Sequence, residues 1–227
     1  MTFTNTHDAA QNLIDMANAG KIIQGDWGDW GDGYETACFY SALVPGAEGT
    51  EDCPAWLMPQ WFADLVPWID DKSEPEDAIP NALALGLALQ AGVKDWDSLR
   101  FDVLALCVRK AWRSAERVVD PEASYWPAVD AVCKDVIAAC EARDGKRLKA
   151  AWPAAYAAEH APRAADACSA AAAPNAAWRA AKTAVYVSGW PEGAAPLAAA
   201  WARTLPVDII NLLCEHAGID KPERGET

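Results

Sequence analysis

The residues with the most unusual spacing lie between positions 25 and 35. There Gly25-Asp26-Trp27-Gly28-Asp29-Trp30-Gly31-Asp32-Gly33-Tyr34-Glu35 sets Asp26, Asp29, Asp32 and Glu35 three apart, with Trp27 and Trp30 between them. Several carboxylates on a glycine-rich backbone could converge on a calcium ion, which takes six to eight oxygens. The alternate-residue spacing of an EF-hand loop is absent, however, and no metal or cofactor is assigned. The same residues also suit a protein contact, with Trp rings as anchors and carboxylates as the polar rim. A second acidic cluster, Glu74, Glu76 and Asp77, could serve the same purpose. The partner-binding set expected from sequence is therefore Asp26, Trp27, Asp29, Trp30, Asp32, Glu35, Glu74, Glu76 and Asp77. A solvated loop that serves only solubility is the plainer alternative.

Nucleophilic and general-base chemistry finds little footing. The histidines are His7, His160 and His216, and none stands in a metal-binding or hydrolase spacing. Cys214-Glu215-His216 puts a thiol and an imidazole two apart, on different faces of a helix. Cys133 and Cys140 are seven apart, hence on one face, as core thiols would be. With Cys38, Cys53, Cys107, Cys168 and Cys214 they make seven cysteines, an odd number without a Cys-x-x-Cys pair. Buried free thiols in a reducing, cytoplasmic setting are expected. No phosphate loop or Gly-x-Ser-x-Gly occurs, so no catalytic residue is assigned and a non-catalytic role is favoured.

Charge is segregated along the chain. Residues 1–80 hold 15 acids and 2 bases (Lys21 and Lys72), a net of −13, within a total of −14. Such a surface repels nucleic acid and anionic membrane and attracts basic proteins. The basic ridge of Arg109, Lys110, Arg113 and Arg117 is expected to pair with the acidic first third. Neither a secretory start nor an apolar run long enough to span a bilayer is legible.

Helices must position these residues. Alanine has the lowest helix cost, and alternating β-branched runs are scarce. An all-α fold of short, proline-capped helices is expected, with an Ala/Trp-rich C-terminal half. Residues 7–19 read as a helix capped by Thr6 or Asp8, and another returns from Tyr34 to Leu43. Asp52-Cys53-Pro54 reads as a helix entry. Pro59 and Pro67 cut the stretch carrying Trp61, Phe62, Leu65 and Trp68. Ser73-Glu74-Pro75-Glu76 has the capping-box pattern for a helix running through Leu83, Leu85, Leu87 and Leu89 to Gly92. From Trp96 to Val119, Leu99, Val103, Leu106 and Lys110 share one side. Residues 122–142 should bury Val129, Val132, Val136 and Ile137. From 150 to 202, 25 of 53 residues are alanine, and a last helix opens at Pro206 and ends at Gly218. The expected regions are 1–145, acidic, and 146–218, Ala-rich, packed as one unit, with a frayed tail at 219–227.

Two stretches carry a resemblance. Gly20-Lys21-Ile22-Ile23-Gln24-Gly25-Asp26-Trp27, followed by Ala37-Cys38-Phe39-Tyr40-Ser41-Ala42-Leu43, is similar to a small domain with a Gln-Gly turn, a Cys and an Ala-Leu helix. Cys53-Pro54-Ala55-Trp56-Leu57-Met58-Pro59-Gln60-Trp61, with the Ala/Trp-rich C-terminal part, resembles proteins of phages, prophages and actinobacteria without an assigned activity. The resemblance implies only a setting, since mobile-element genes often encode small acidic proteins that disable a host factor. The leading expectation is a non-catalytic inhibitor or adaptor. Its acidic, nucleic-acid-mimicking surface would meet a basic surface of a host defence protein, binding no nucleic acid or membrane itself. A metal-dependent or thiol enzyme is the second class, and a self-assembling structural protein the third.

Overall fold

The protein is all-α. The computed structural model describes residues 2–25, 36–116, 122, 126–151 and 204–222, with backbone alone at 114 and 115. Among these residues no strand occurs. One isolated parallel bridge joins Ile22 to Ala37, and no helix is long and apolar enough to cross a membrane. The Ala-rich stretch 152–202, Cys168, His160 and the loop acids 26–35 lie outside the described residues.

The chain divides into two compact units, residues 1–99 with 203–227, and residues 100–202. The regions expected from sequence, 1–145 and 146–218, are expected to pack as one unit. The division falls elsewhere because the last helix belongs with the first helices.

In the first unit α1 (Thr6–Asn18) buries Ala9, Ala10, Leu13, Ile14, Met16 and Ala17. Its cap is Asn5, whose side chain accepts from the Asp8 N–H, not Thr6 or Asp8 itself. Next come α2 (Phe39–Leu43), α3 (Gln60–Ala63), α4 (Val66–Lys72) and α5 (Pro75–Ala91). Helix α5 is central, packing against α1 and against the last helix, α9 (Leu205–Ala217). Its buried positions run almost all round: Asp77, Ala78, Asn81, Ala82, Ala84, Leu85, Gly86, Ala88 and Leu89. That is the pattern of a helix enclosed by neighbours. Small residues set how close α1 comes, since a Cβ on Gly86 would lie 2.6 Å from Ile14 Cγ1 and 3.1 Å from the Ala10 carbonyl oxygen. Leu87 is 37% exposed. An aromatic cluster joins Trp61, Phe62 and Trp96, with centroids 5.2–6.3 Å apart.

Three local expectations are corrected here. Helix α2 starts at Phe39 because Ala37 is held extended against Lys21 and Ile23 by two backbone hydrogen bonds. Asp52 ends a 3-10 turn (Thr50–Asp52) and opens no helix; its carboxylate is engaged backwards, accepting from the Glu48 N–H. Ser73 does not cap α5. Its hydroxyl donates to the Ile69 carbonyl at the end of α4 and accepts from Asn81 Nδ2. The Ile69 carbonyl also accepts from the Ser73 N–H, so backbone and side chain of Ser73 together close the last turn of α4.

In the second unit α6 (Trp96–Glu116, from Arg100 onward), α7 (Trp126–Glu141) and α8 (Gly145–Ala150) enclose Leu104, Val108, Ala111, Val129, Val132, Cys133, Val136, Cys140 and Leu148. Ile137 is only partly buried. The expected stripe on α6 turns with the helix: Leu99 and Val103 are buried, whereas Leu106 and Lys110 are half-buried. The pattern break at 144–146 is a tight corner. Arg143 adopts a φ of 55°, its N–H bonds to the Cys140 carbonyl and that of Asp144 to the Ala139 carbonyl. Asp144 then caps α8 by accepting from the Arg147 N–H.

Of the expected frayed tail only residues 219–222 are described. After Gly218 (φ 74°), the Ile219 N–H bonds to the Cys214 carbonyl, and Lys221 Nζ donates to Asn81 Oδ1 at 3.1 Å.

Candidate functional site

The first unit gathers its polar side chains where α4 ends. Gln24 Nε2 donates to the carbonyls of Asp70 and Ser73, both at 2.8 Å. The Gly25 N–H donates to Asp71 Oδ1 at 3.1 Å. On the far side of residues 26–35, the Phe39 N–H donates to Asp70 Oδ2 at 3.1 Å. Ser73, Asn81 and Lys221 extend the network to the C-terminal tail. Both flanks of the Gly-Asp-Trp segment are thus fastened to the last turn of α4. The Gln24-Gly25 pair singled out in the sequence is the fastening on one side.

Asp70 is the centre of this arrangement. It is fully buried, and its Oδ1 has no hydrogen-bond partner among the described residues. Burial raises its carboxyl to about 7, the Phe39 N–H opposes the rise and the nearby Asp71 adds to it. A carboxylate with one donor and a bare buried oxygen is poorly compensated as an ion. Sequence reasoning missed it, because Asp70-Asp71-Lys72 reads as the solvated end of a helix.

Cys38 sits beside this carboxylate as the N-cap of α2, its Sγ accepting from the Ser41 N–H at 3.3 Å. Burial pushes the Cys38 thiol up, and Asp70 adds to the rise. The other described thiols behave alike: burial pushes Cys107, Cys133 and Cys140 up to about 12 and raises Cys53 and Cys214. A nucleophilic cysteine needs the opposite shift. All six are free, and all but the half-buried Cys53 are buried.

Of the expected contact residues, Asp26, Trp27, Asp29, Trp30, Asp32 and Glu35 lie outside the described residues. The second cluster is not one patch: Glu76 is exposed, Glu74 is half-buried and Asp77 is buried. At the start of α5, their charges also favour the helix through its dipole. Of the basic ridge, Arg117 lies outside the described residues and Arg109 has a partner other than the acidic first third. Arg109 pairs with Glu141 of α7, inside its own unit. Among the described residues no group of three or more His, Cys, Asp or Glu is placed to hold a metal ion.

Charge follows the folded units more sharply than it follows the sequence thirds. The first unit holds 22 acidic and 6 basic residues, a net of −16, and the second 11 acidic and 13 basic, a net of +2. In the second unit carboxylates meet cations: Asp102 with Arg143, Asp130 with Lys134, Asp135 with Arg147 and Glu141 with Arg109. In the first, Asp8, Asp15, Asp52 and Asp64 accept from neutral groups, namely Asn5, Gln11, the Glu48 N–H, and Thr50 with Gln60. A neutral donor satisfies a carboxylate without cancelling its field. Comparison of the chain with family models, with curated proteins and with solved structures gives no match.

Proposed function

We propose that the chain is a non-catalytic protein-binding inhibitor or adaptor whose acidic first unit docks on the basic surface of another protein. The observation that carries this reading is the segregation of charge by folded unit, −16 against +2. Solubility alone asks for net charge and not for its confinement to one unit. A one-signed surface accelerates encounter with an oppositely charged partner by about 10- to 1,000-fold. Asp8, Asp15, Glu48, Glu51, Asp52, Asp71 and Glu76 are exposed on that unit. The resemblance to phage-borne proteins suggests a host factor, one whose basic groove ordinarily holds nucleic acid, as the partner. The raised thiols speak against the thiol-enzyme alternative.

The test is capture of partners from host lysate by the immobilised protein and by a variant carrying Glu48→Gln, Glu51→Gln and Glu76→Gln. These three side chains are exposed. A basic protein retained by the wild type, released by salt and retained less by the variant is the expected result. Equal retention by a variant that folds normally would remove these acids from the contact.

A further inference from the structure

We propose that Asp70 is a proton-controlled clasp, which in its neutral form holds the segments Ile22–Gly25 and Ala37–Phe39 to the end of α4 and on ionising loosens them. This inference is independent of whether the acidic unit binds a partner.

The geometry sets the terms. Three of the bonds that fasten the two flanks reach residues 70 and 71: Gln24 to the Asp70 carbonyl, Gly25 to Asp71 Oδ1 and Phe39 to Asp70 Oδ2. The flanks are also joined to each other through the Ile22–Ala37 bridge. Strain at Asp70 is therefore felt by both. A fully buried ion needs several donors, and among the described residues Oδ2 has one while Oδ1 has none. The neutral acid keeps the Phe39 bond at Oδ2 and carries its proton on Oδ1, at a much smaller desolvation cost.

Among the described residues no cation is paired with the Asp70 carboxyl: Lys72 on its own helix and Lys21 beside the flank are exposed, and Lys221 is turned to Asn81. On its own helix the neighbour is Asp71, of like sign. Helix α3 carries no titratable residue. At α2 the facing group is the buried Cys38 thiol, itself pushed up, while the Tyr40 hydroxyl turns to the Thr50 carbonyl. On α9 the titratable residues are Asp208, Cys214, Glu215 and His216, and none of them acts on Asp70; the Cys214 thiol turns to the Ala84 carbonyl. With burial dominant, the carboxyl titrates at about 7 in the folded protein. The sign follows: a raised folded-state value gives a hold that is complete at acidic pH and is lost as pH rises through about 7. Ionisation is met by local opening that admits water to Oδ1.

Two readings on the intact protein test this. Carboxyl-carbon NMR should show Asp70 titrating near 7, several units above an ordinary aspartate. Amide hydrogen exchange at Phe39 and Ile23 should accelerate between pH 6 and 8 more steeply than base catalysis alone, by an excess of about tenfold. Asp70→Asn, which fixes the neutral shape, should abolish that excess. An Asp70 midpoint near 4, or an excess that persists in Asp70→Asn, would overturn the clasp. If the variant does not fold, the wild-type titration decides alone.

Discussion

At the scale of single residues, burial and spacing part company where a helix turns under its neighbours. Leu99, Val103, Leu106 and Lys110 share one side by sequence arithmetic; the structure buries Leu99 and Val103, then continues through Leu104, Cys107, Val108 and Ala111 and leaves Leu106 and Lys110 half-buried. Leu104 is 2% exposed and Leu106 is half-buried. Leu104→Ala should therefore cost about 2–5 kcal/mol in chemical denaturation, the range for a buried leucine, and Leu106→Ala clearly less. Equal losses would mean that the face of α6 is wrongly assigned. Trp61, placed inside by its spacing, is indeed buried. Asp70 was not legible, since nothing in Asp70-Asp71-Lys72 distinguishes the buried acid from its exposed neighbour. Only the fold, which brings Phe39 across from 31 residues away, makes that distinction.

At the scale of elements, stop signals read better than start signals. Gly20, Gly92 and Gly218 end α1, α5 and α9 with positive φ, as glycines past a helix end do. The helix entry at Asp52 and the cap at Ser73, though not the helix that follows it, failed for one reason. Each side chain had two possible backbone partners, and the local pattern could not show that the preceding turn would claim it. Contacts between elements were less legible still. The approach of α1 to α5 depends on Gly86, which sequence alone marks only as a weak point in a helix. Gly86→Ala gains helix propensity of about 1 kcal/mol. It also drives a methyl group against Ile14 and the Ala10 carbonyl, an overpacking cost of about 1–3 kcal/mol. The net expectation is destabilisation, seen as a lower thermal midpoint. A higher midpoint would mean that α1 gives way freely.

At the scale of the whole molecule, the all-α class was legible from alanine content and the scarcity of strand patterns. The grouping of helices was not, because α9 follows a long Ala-rich stretch and yet packs with α4 and α5 of the first unit. Once the units are known, the charge imbalance sharpens to −16 on one and +2 on the other. A field of that kind is screened over about 8 Å at physiological salt, so its hallmark is a rate that depends on ionic strength. The most direct measurement is the association rate of the captured partner across a salt series, for the wild type and for Asp26→Asn/Asp29→Asn/Asp32→Asn. The account predicts a wild-type rate falling by about tenfold or more from low to high salt, and a slower, flatter profile for the triple variant. A wild-type rate indifferent to salt would contradict the acidic unit as the contact surface. An unchanged profile in the triple variant would exclude those three acids from it.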